Sequence, residues 1–380
     1  MRKHIFIYGF SIFSMFFGSG NLVFPLKIGA VTGSNWLYGF LGLFITGIIL
    51  PFLGLFVIKL HKGSYDNFFG EAGHISRILL PLFTLSLLGA FGVVPRCITV
   101  AHGGIEYLFP EVPLIGFSIT FCIICFFLCL NDKFMITILG KWFTPIKLIL
   151  LTILITIGVV SAKTLSPSIL TPNYSFTFGF AKGYQLMDLF AAFFFSSLIF
   201  KQIQELVGKD GDPKKTILLA LKPSFIGAFL LALAYLGFTF LGAHYQDIAA
   251  DLSPELILPA IAQHLLGRYA AFIISITITL SCISTAVALN NIYARYLCQL
   301  CKLPSNYFPL FLIGTTATSF LVSLLDFKGI ASFLSPALEI SYPALIALTL
   351  LSIFVKKHQI VKMVIFYSMI LIAIIYKYLL

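Results

Sequence analysis

Charged residues are scarce in this chain of 380 residues, where Asp, Glu, Lys and Arg together make up only 10%. Soluble globular domains carry about 25% charged residues, so a protein this apolar could not cover its own surface in water. The strict alternation of apolar and polar residues that marks membrane β-strands is also missing. These absences exclude a soluble protein and a β-barrel. They leave a helical membrane protein, whose backbone groups are bonded within each span.

Groupings of catalytic or metal-binding residues are also missing. The seven histidines are scattered, with no His-x-x-x-His or His-Asp box, and the Cys298-x-x-Cys301 pair has no further metal ligands nearby. An integral-membrane enzyme would need such a cluster, and a channel would need repeated filter loops. We therefore expect a carrier that is not an enzyme and has no organic cofactor. The net charge of +11 is explained by membrane topology, so no nucleic-acid partner and no obligate protein partner are expected.

Long apolar runs divide the chain into eleven candidate membrane-spanning helices of about 20 residues, the length that crosses a bilayer. The polar stretches between them are short, so residues 1–380 are expected to form one transmembrane domain. The N-terminus resembles a secretory signal, but no small-residue cleavage site follows, which favours an uncleaved first span. The predicted spans are His4–Ala30, Trp36–Ile58, Ile78–Ile105, Leu114–Leu130, Ile136–Val160, Phe180–Phe200, Thr216–Leu241, Ala270–Leu297, Phe308–Leu325, Ile330–Val355 and Ile360–Leu379.

Lysine and arginine residues are distributed unevenly between the two sets of loops that these spans define. With a cytoplasmic N-terminus, the cytoplasmic loops hold about three times as many as the opposite loops, Lys59 among them. This asymmetry follows the positive-inside rule. We therefore predict a multi-pass protein of a bacterial inner (plasma) membrane, with its N-terminus in the cytoplasm and its C-terminus outside. Lys147 and Lys222 are expected to extend their charged ends to membrane interfaces.

The first predicted span contains Gly18-Ser19-Gly20-Asn21 near its middle. Each glycine weakens a helix by about 1 kcal/mol relative to alanine, and backbone groups freed in a bilayer must face protein or a wet cavity. Transporters use such interrupted helices to bind substrate and coupling ion. Close packing of a small-xxx-small glycine pair is the alternative, but Gly18-x-Gly20 has the wrong spacing for that motif.

The sixth span occupies the corresponding place in a second half of the chain and contains Asp188, Ser196 and Ser197, although no glycine lies at its centre. Five spans before it and five from it onward predict an inverted 5+5 repeat. The halves would cover about residues 4–160 and 178–355, with an extra C-terminal helix at about 360–379. The predicted fold is thus an all-α integral membrane protein of about eleven spans, with the first and sixth broken.

Six motifs resemble those of the branched-chain amino acid:cation symporter family, in the same order, along about 350 residues. The longest, FSMFFGSGNLVFP at 13–25, is similar to the family's first-span signature almost residue for residue. The others are VPRCITV at 94–100, LGKWFTP at 139–145, GYQLMD at 183–188, STAVAL at 284–289 and YP at 342–343. The resemblance implies a leucine-transporter-like fold of the amino acid–polyamine–cation superfamily. Three features depart from it: Ser196 stands where a glycine is expected in the sixth-span break, Glu339 replaces a neutral residue, and the family usually has twelve spans.

A cation site is predicted on the eighth span, where Ser281, Ser284 and Thr285 share one helix face at spacings of three and four. Their hydroxyl oxygens suit a hard monovalent cation such as Na⁺. The resemblance implies that first-span carbonyls, those of Ser14 and Phe17, complete the site. Membrane Ser and Thr side chains also commonly bond to their own helix, which is the alternative.

The resemblance further implies that Gly18, Ser19, Gly20 and Asn21 present backbone groups to an amino acid carboxylate. Four residues of the sixth span would close the other side of the substrate site, namely Phe193, Phe194, Ser196 and Ser197. An apolar pocket suits leucine, isoleucine or valine, and it would discriminate weakly among them, since one methylene is worth only about 1–3 kcal/mol. Packing is the alternative role for each phenylalanine.

Three charged residues are candidates for gating or coupling. Arg96 lies within the third span, where an unpaired charge costs about 2.5–3.5 kcal/mol, so we predict an Arg96–Asp188 pair near the outer gate. A fixed structural pair is equally compatible with the sequence. Glu339 would be a proton-titrating site if burial raised its pKa, or else an acid in a wet vestibule.

The sequence therefore predicts a secondary active transporter that imports branched-chain amino acids by alternating access. Its partners would be the amino acid substrate and the lipid bilayer, with Na⁺ as the coupling ion and H⁺ as the alternative. The alternative function is proton-coupled transport of another neutral amino acid.

Overall fold

A computed structural model of the chain describes residues 2–131, 137–162, 164, 165, 168, 170–207, 213–249, 252–355 and 358–378. Throughout these ranges the structure consists of helices and the turns that connect them, with no β-strand. Eight helical segments are long and apolar enough to cross a membrane, and two shorter apolar helices accompany them. The predicted all-α membrane architecture is confirmed. The number of spans and the inverted repeat stay predictions, and the predicted limits Ile136 and Leu379 lie outside the described residues.

Eighteen α-helices of the described residues are used below. They are α1 Arg2–Phe16, α2 Ser19–Thr32, α3 Trp36–Phe44, α4 Leu50–Leu60, α5 Tyr65–Phe69, α6 Ser76–Leu88, α7 Val93–Glu106, α8 Leu114–Cys129, α9 Thr144–Val160, α10 Pro172–Tyr184, α11 Asp188–Val207, α12 Pro213–His244, α13 Gln246–Ala249, α14 Ile257–Leu266, α15 Arg268–Leu300, α16 Phe308–Ser323, α17 Asp326–Phe354 and α18 Gln359–Tyr378. A π-helical turn at Ile45–Ile49 joins α3 to α4.

The predicted break in the first span is present between α1 and α2. Gly18 precedes α2 with φ −119° and ψ −149°, and the Asn21 side chain accepts a hydrogen bond from the Gly18 N–H at 3.1 Å. A Cβ atom at Gly18 would lie 2.6 Å from Thr285 Oγ1, so a larger residue would not fit without movement. The break thus follows from a missing side chain and a local cap, as the sequence indicated.

The sixth span is also interrupted, but earlier than predicted. Helix α10 begins after the Thr171 cap, with Pro172 in its first turn, and ends at Tyr184. Met187 adopts a left-handed φ of +63°, and α11 begins at Asp188. Ser196 lies inside the continuous α11 helix, so its predicted position in the break is wrong. A left-handed methionine gives no sequence signal, because such residues are held by their surroundings.

The third span, predicted as one helix, is divided between α6 and α7 at residues 89–92. A Cβ atom at Gly92 would lie 2.1 Å from the Leu87 carbonyl oxygen, which no larger residue could tolerate. Helix α7 then packs along α15, while α12 packs along α1 and α2. Helices from both ends of the chain thereby enclose the breaks of the first and sixth spans.

Candidate functional site

A buried hydrogen-bond cluster joins the two breaks. Asn21 in α2 donates from Nδ2 to Oδ2 of Asp188 at 2.8 Å, and the Tyr235 hydroxyl of α12 donates to the same oxygen at 2.7 Å. Asn21 also contacts the Tyr235 hydroxyl directly. All three residues are at most 3% exposed. Asp188 is the first residue of α11, where a negative charge also complements the helix dipole.

Arg96 of α7 approaches the sixth-span break from the opposite side. Its Nη1 donates to the main-chain oxygen of Gln185 at 2.8 Å, and its guanidinium carbon lies 5.7 Å from the centre of the Phe24 ring. Arg96 is completely buried, and its Nε and Nη2 atoms have no hydrogen-bond partner among the described residues. Burial of such donors without a partner is costly, which makes Arg96 a candidate to bind an additional acceptor.

No salt bridge within 4.0 Å joins the predicted pair of Arg96 and Asp188, although the two residues interact electrostatically. Arg96 binds a backbone carbonyl inside the break, whereas Asp188 accepts hydrogen bonds from Asn21 and Tyr235. The physical reason is that neutral donors already occupy Asp188 Oδ2, and the break exposes carbonyl groups that a continuous helix would have used. The proposed roles of these residues in gating stay predictions.

Further polar atoms are buried around the second break. The Gln185 Oε1 atom has no hydrogen-bond partner within the described part of the chain, and the Tyr342 hydroxyl lies close to the backbone of Leu189. The Tyr342 ring of α17 lies between the rings of Tyr184 and Phe190, with a centroid distance of 4.6 Å to each. Aromatic rings therefore surround buried polar groups at the second break.

The sixth-span residues predicted to line the substrate site lie further along α11. Phe193 packs against Phe68 with ring centroids 4.8 Å apart, and Phe194 packs against Tyr65 at 5.1 Å. Ser196 Oγ donates to the Leu55 carbonyl at 2.7 Å. These contacting residues belong to α4 and α5. Ser197, the next residue of α11, is half-buried. Their part in substrate binding stays a prediction.

The residues predicted to form a cation site meet between α1 and α15. The Ser14 carbonyl accepts hydrogen bonds from the hydroxyls of Ser284, at 2.9 Å, and Thr285, at 3.4 Å. Ser281 instead bonds to the Thr277 carbonyl of its own helix at 2.8 Å, as the alternative interpretation held. The Phe17 ring stacks on Phe13 with centroids 4.8 Å apart. All five predicted residues are buried at the first break.

Lys147 of α9 enters this same site, which the sequence analysis missed. Its ammonium donates to the hydroxyl oxygens of Ser14 and Ser284, both at 2.9 Å, and lies 5.9 Å from the centre of the Phe13 ring. Lys147 is completely buried, so its predicted extension to a membrane interface is wrong. A signal was available, because Lys147 shares one helix face with the buried residues Thr144, Leu151 and Leu154.

The presence of Lys147 bears directly on whether Na⁺ fits this site. Two unit charges 4 Å apart repel by about 4 kcal/mol at an effective dielectric constant of 20. No carboxylate lies within 4.0 Å of the Lys147 ammonium in the described part of the chain to offset a second positive charge. With Lys147 present, the site therefore fits Na⁺ less well than the five predicted residues would alone.

Lys59, predicted to lie in a cytoplasmic loop, is a second fully buried lysine. Its ammonium donates to the Leu55 carbonyl at 2.9 Å and to the hydroxyls of Ser196 and Ser224 at 3.1 and 2.8 Å. It lies in the last turn of α4, where a cation complements the helix dipole. Because it packs against α11 and α12, a loop position is wrong.

Comparison with known proteins agrees with this architecture. A profile of branched-chain amino acid transport proteins matches residues 1–378. The chain belongs to this family. A relative from Staphylococcus epidermidis is 28% identical over 373 residues, which cover 92% of this chain and 82% of the relative. One from Staphylococcus aureus strain USA300 is 27% identical over 377 residues, covering 94% and 83%. Both are named as branched-chain amino acid carrier proteins.

A solved structure extends the comparison to the fold. A Na⁺-coupled sialic acid symporter, in a substrate-bound outward-open state, is similar with a TM-score of 0.64 and 13% identity. The similarity covers 97% of this chain and 88% of the symporter. The predicted family and transporter fold are therefore confirmed, and this member of the branched-chain amino acid transport family is a multi-pass membrane transport protein and not an enzyme.

Glu339 of this family member is connected to the second break through Ser335, whose hydroxyl accepts a hydrogen bond from Gln185 Nε2 at 3.1 Å. The Glu339 side chain is 52% exposed and forms an ion pair of 2.6 Å with Lys377 of α18, and it accepts a hydrogen bond from Ser335. Burial was the premise of the proton-titrating interpretation, and that premise is wrong. The groove between α10, α17 and α18, about 810 Å³ in volume, is lined by Glu339 and also reaches Gln185.

Proposed function

We propose that this protein imports branched-chain amino acids by alternating access, with substrate bound between the breaks of the first and sixth spans. The family to which the chain belongs supports the substrate class, since its relatives are named as carriers of branched-chain amino acids. The solved neighbour is a Na⁺-coupled symporter, which supports coupling to a cation. The loop charges support a cytoplasmic N-terminus in a bacterial inner membrane.

The observation that carries this proposal is the unpaired part of the Arg96 guanidinium. Two N–H-bearing atoms, Nε and Nη2, are buried beside the break at Gln185 without partners among the residues that the structure describes. Together they form one edge of the planar fork, which matches the two oxygens of a carboxylate. The free α-carboxylate of an amino acid has this geometry and the opposite charge. Arg96 is therefore the proposed anchor for the substrate carboxylate.

The surroundings of the break provide for the rest of an amino acid. Backbone groups of Gly18 to Asn21 begin α2 and point an N-terminal helix end toward the interrupted region, which favours an anion. The aromatic group of Tyr184, Phe190 and Tyr342 offers an apolar wall. Such a wall suits aliphatic side chains and distinguishes leucine, isoleucine and valine only weakly.

Uptake by purified protein reconstituted in liposomes tests the function. Labelled leucine, isoleucine and valine should accumulate under an imposed cation gradient, while glutamate should not, because its second carboxylate would face the aromatic wall of Tyr184, Phe190 and Tyr342. The Arg96→Gln variant should lose about 10- to 100-fold in apparent affinity, since a hydrogen bond to a charged group is worth about 1.5–3 kcal/mol.

Arg77→Gln is the matched control for this experiment, because Arg77 is exposed and bonds to the nearby Asp66 carbonyl and Asn67 side chain. It should transport as the unmodified protein does. Accumulation of none of the three branched-chain amino acids by folded protein, under any cation gradient, would contradict the proposed substrate class.

A further inference from the structure

We propose that Lys147 supplies, from within the chain, the positive charge of the predicted cation site, so that Na⁺ does not bind there and transport does not require sodium. The claim that transport does not require sodium rests on the proposed function. Its ion-binding part concerns only residues of α1, α9 and α15. The predicted sodium coupling through Ser14 and Ser284 is thereby replaced by an internal ammonium.

The geometry places the ammonium where a metal ion would have to bind. A cation shared by α1 and α15 would use oxygens of Ser14 and Ser284, and the Lys147 ammonium already donates to both hydroxyls at 2.9 Å. The single hydroxyl hydrogen of Ser284 is directed at the Ser14 and Ser281 carbonyls, and its oxygen already accepts one hydrogen bond from Lys147. The Ser14 carbonyl is likewise engaged by two hydroxyl groups.

The position of Lys147 also reproduces the mechanical role of a bound cation. Through one ammonium, α9 is bonded to α1 just before the break and to α15 across from it. Helix α9 is thus tied to the two elements between which a cation was predicted. The driving cation of the proposed transport is then one other than Na⁺.

A buried lysine held by serines could be a purely structural feature, and the chain contains a matched example. Lys59 is also completely buried and donates to two serine hydroxyls, but these serines belong to α11 and α12, and neither is a predicted cation residue. Replacing Lys59 also removes a buried ammonium bonded to serine hydroxyls, but at a position outside the predicted cation site. It therefore separates an effect on sodium from a general effect of losing a buried lysine.

Sodium binding to purified protein is the primary test, and it does not require knowledge of the substrate. The thermal unfolding midpoint is measured in NaCl and in choline chloride at equal ionic strength for the unmodified protein, Lys147→Ala and Lys59→Ala. We expect no sodium-specific shift for the unmodified protein or for Lys59→Ala. Lys147→Ala, which leaves the serine oxygens free, should gain an upward shift of about 3 °C or more in NaCl.

Two further measurements complete the test. The double variant Lys147→Ala with Ser284→Ala should lose the gained shift, because the oxygen ligands are then incomplete. Leucine uptake by the unmodified protein should be equal in sodium and choline media. A sodium-specific stabilisation of the unmodified protein, or uptake that requires sodium, would overturn the inference. If no uptake of any branched-chain amino acid occurs, the proposed function fails, while the unfolding data still decide whether sodium binds.

Discussion

Asn21 and Asp188 are joined by a hydrogen bond of 2.8 Å. Asn21 lies in the first helical turn after the break in the first span, and Asp188 is the first helical residue after the break in the sixth span. Because Tyr235 donates to the same carboxylate oxygen, helix α12 is bonded to both breaks. Buried polar networks of this kind stabilise one arrangement when every member is paired. This cluster therefore fixes how the two interrupted spans face each other.

Replacement of Asp188 by Asn is expected to impair transport more than folding. The amide keeps the volume and its one oxygen can still accept from both neighbours, but the negative charge is lost, and hydrogen bonds to a charged group contribute about 1.5–3 kcal/mol against about 0.5–1.5 kcal/mol for neutral ones. Leucine uptake should fall by at least about 10-fold, while the protein still elutes as a folded species. Asp247→Asn, at an exposed position in α13, is the control. Unchanged uptake in Asp188→Asn would show that the cluster is not needed.

Gly18→Ala is expected to destabilise the protein, because the added Cβ would lie 2.6 Å from Thr285 Oγ1. Overpacking of this kind costs about 1–3 kcal/mol and should lower the thermal unfolding midpoint. Thr285→Ala in the same chain should restore part of the loss, since it removes two of the three contacting atoms. Gly314→Ala is the control, because nothing lies within 4 Å of its added Cβ. An equal loss in both glycine variants would argue against the close contact.

The exposed end of α4 and the last helix are connected by an ionic cluster with a defined pH dependence. Burial opposes ionisation of Glu71, but hydrogen bonds from His61, Ser352 and Lys362 prevail and lower its pKa to about 2. The Lys362 ammonium lies 2.9 Å and the His61 ring nitrogen 3.2 Å from Glu71 Oε1. For His61, burial opposes protonation, yet the Glu71 hydrogen bond raises the pKa above 6.5.

The sign of each shift determines when the cluster stabilises α18. The contribution of Glu71 is present above its ordinary pKa of 4.5 and is lost as the pH falls toward about 2. That of His61 is present below 6.5 and is lost as the pH rises through its raised pKa. Glu71→Gln should therefore lower the free energy of unfolding by about 1–2 kcal/mol near pH 6. This loss lies between the values typical of exposed and of buried ion pairs. The variant should also show a flatter dependence of the unfolding midpoint on pH. Glu111→Gln, at an exposed loop position, should behave as the unmodified protein.

Several features of the site could be predicted from the sequence because they depend on local chemistry. Gly18 and Gly20 indicated the first break, and the spacing of Ser284 and Thr285 placed both hydroxyls beside Ser14. The helical membrane fold followed from apolar runs too long and too continuous for any other structure. Asp188 was also identified as a functional candidate, although its partners were not.

Other features depended on tertiary contacts that no local pattern records. Met187 carries the left-handed turn of the second break without a glycine to mark it. Arg96 and Asp188 were predicted to attract each other, but the break supplied a carbonyl and two neutral donors that compete for them. Lys147 was assigned to an interface because lysine usually reaches water, whereas serine hydroxyls from two other helices hold it in the core.

Binding of leucine and leucinamide to purified protein tests the central claim most directly, because the two ligands differ only in the carboxylate that Arg96 is proposed to bind. Isothermal titration of the unmodified protein should show leucine binding at least about 10-fold more tightly than the amide, as expected for one charge-assisted bond. Arg96→Gln should bind both ligands weakly and equally, while Arg77→Gln should keep the preference. If Arg96→Gln binds leucine with unchanged affinity and still rejects the amide, the substrate carboxylate is held elsewhere and the account of the site is wrong.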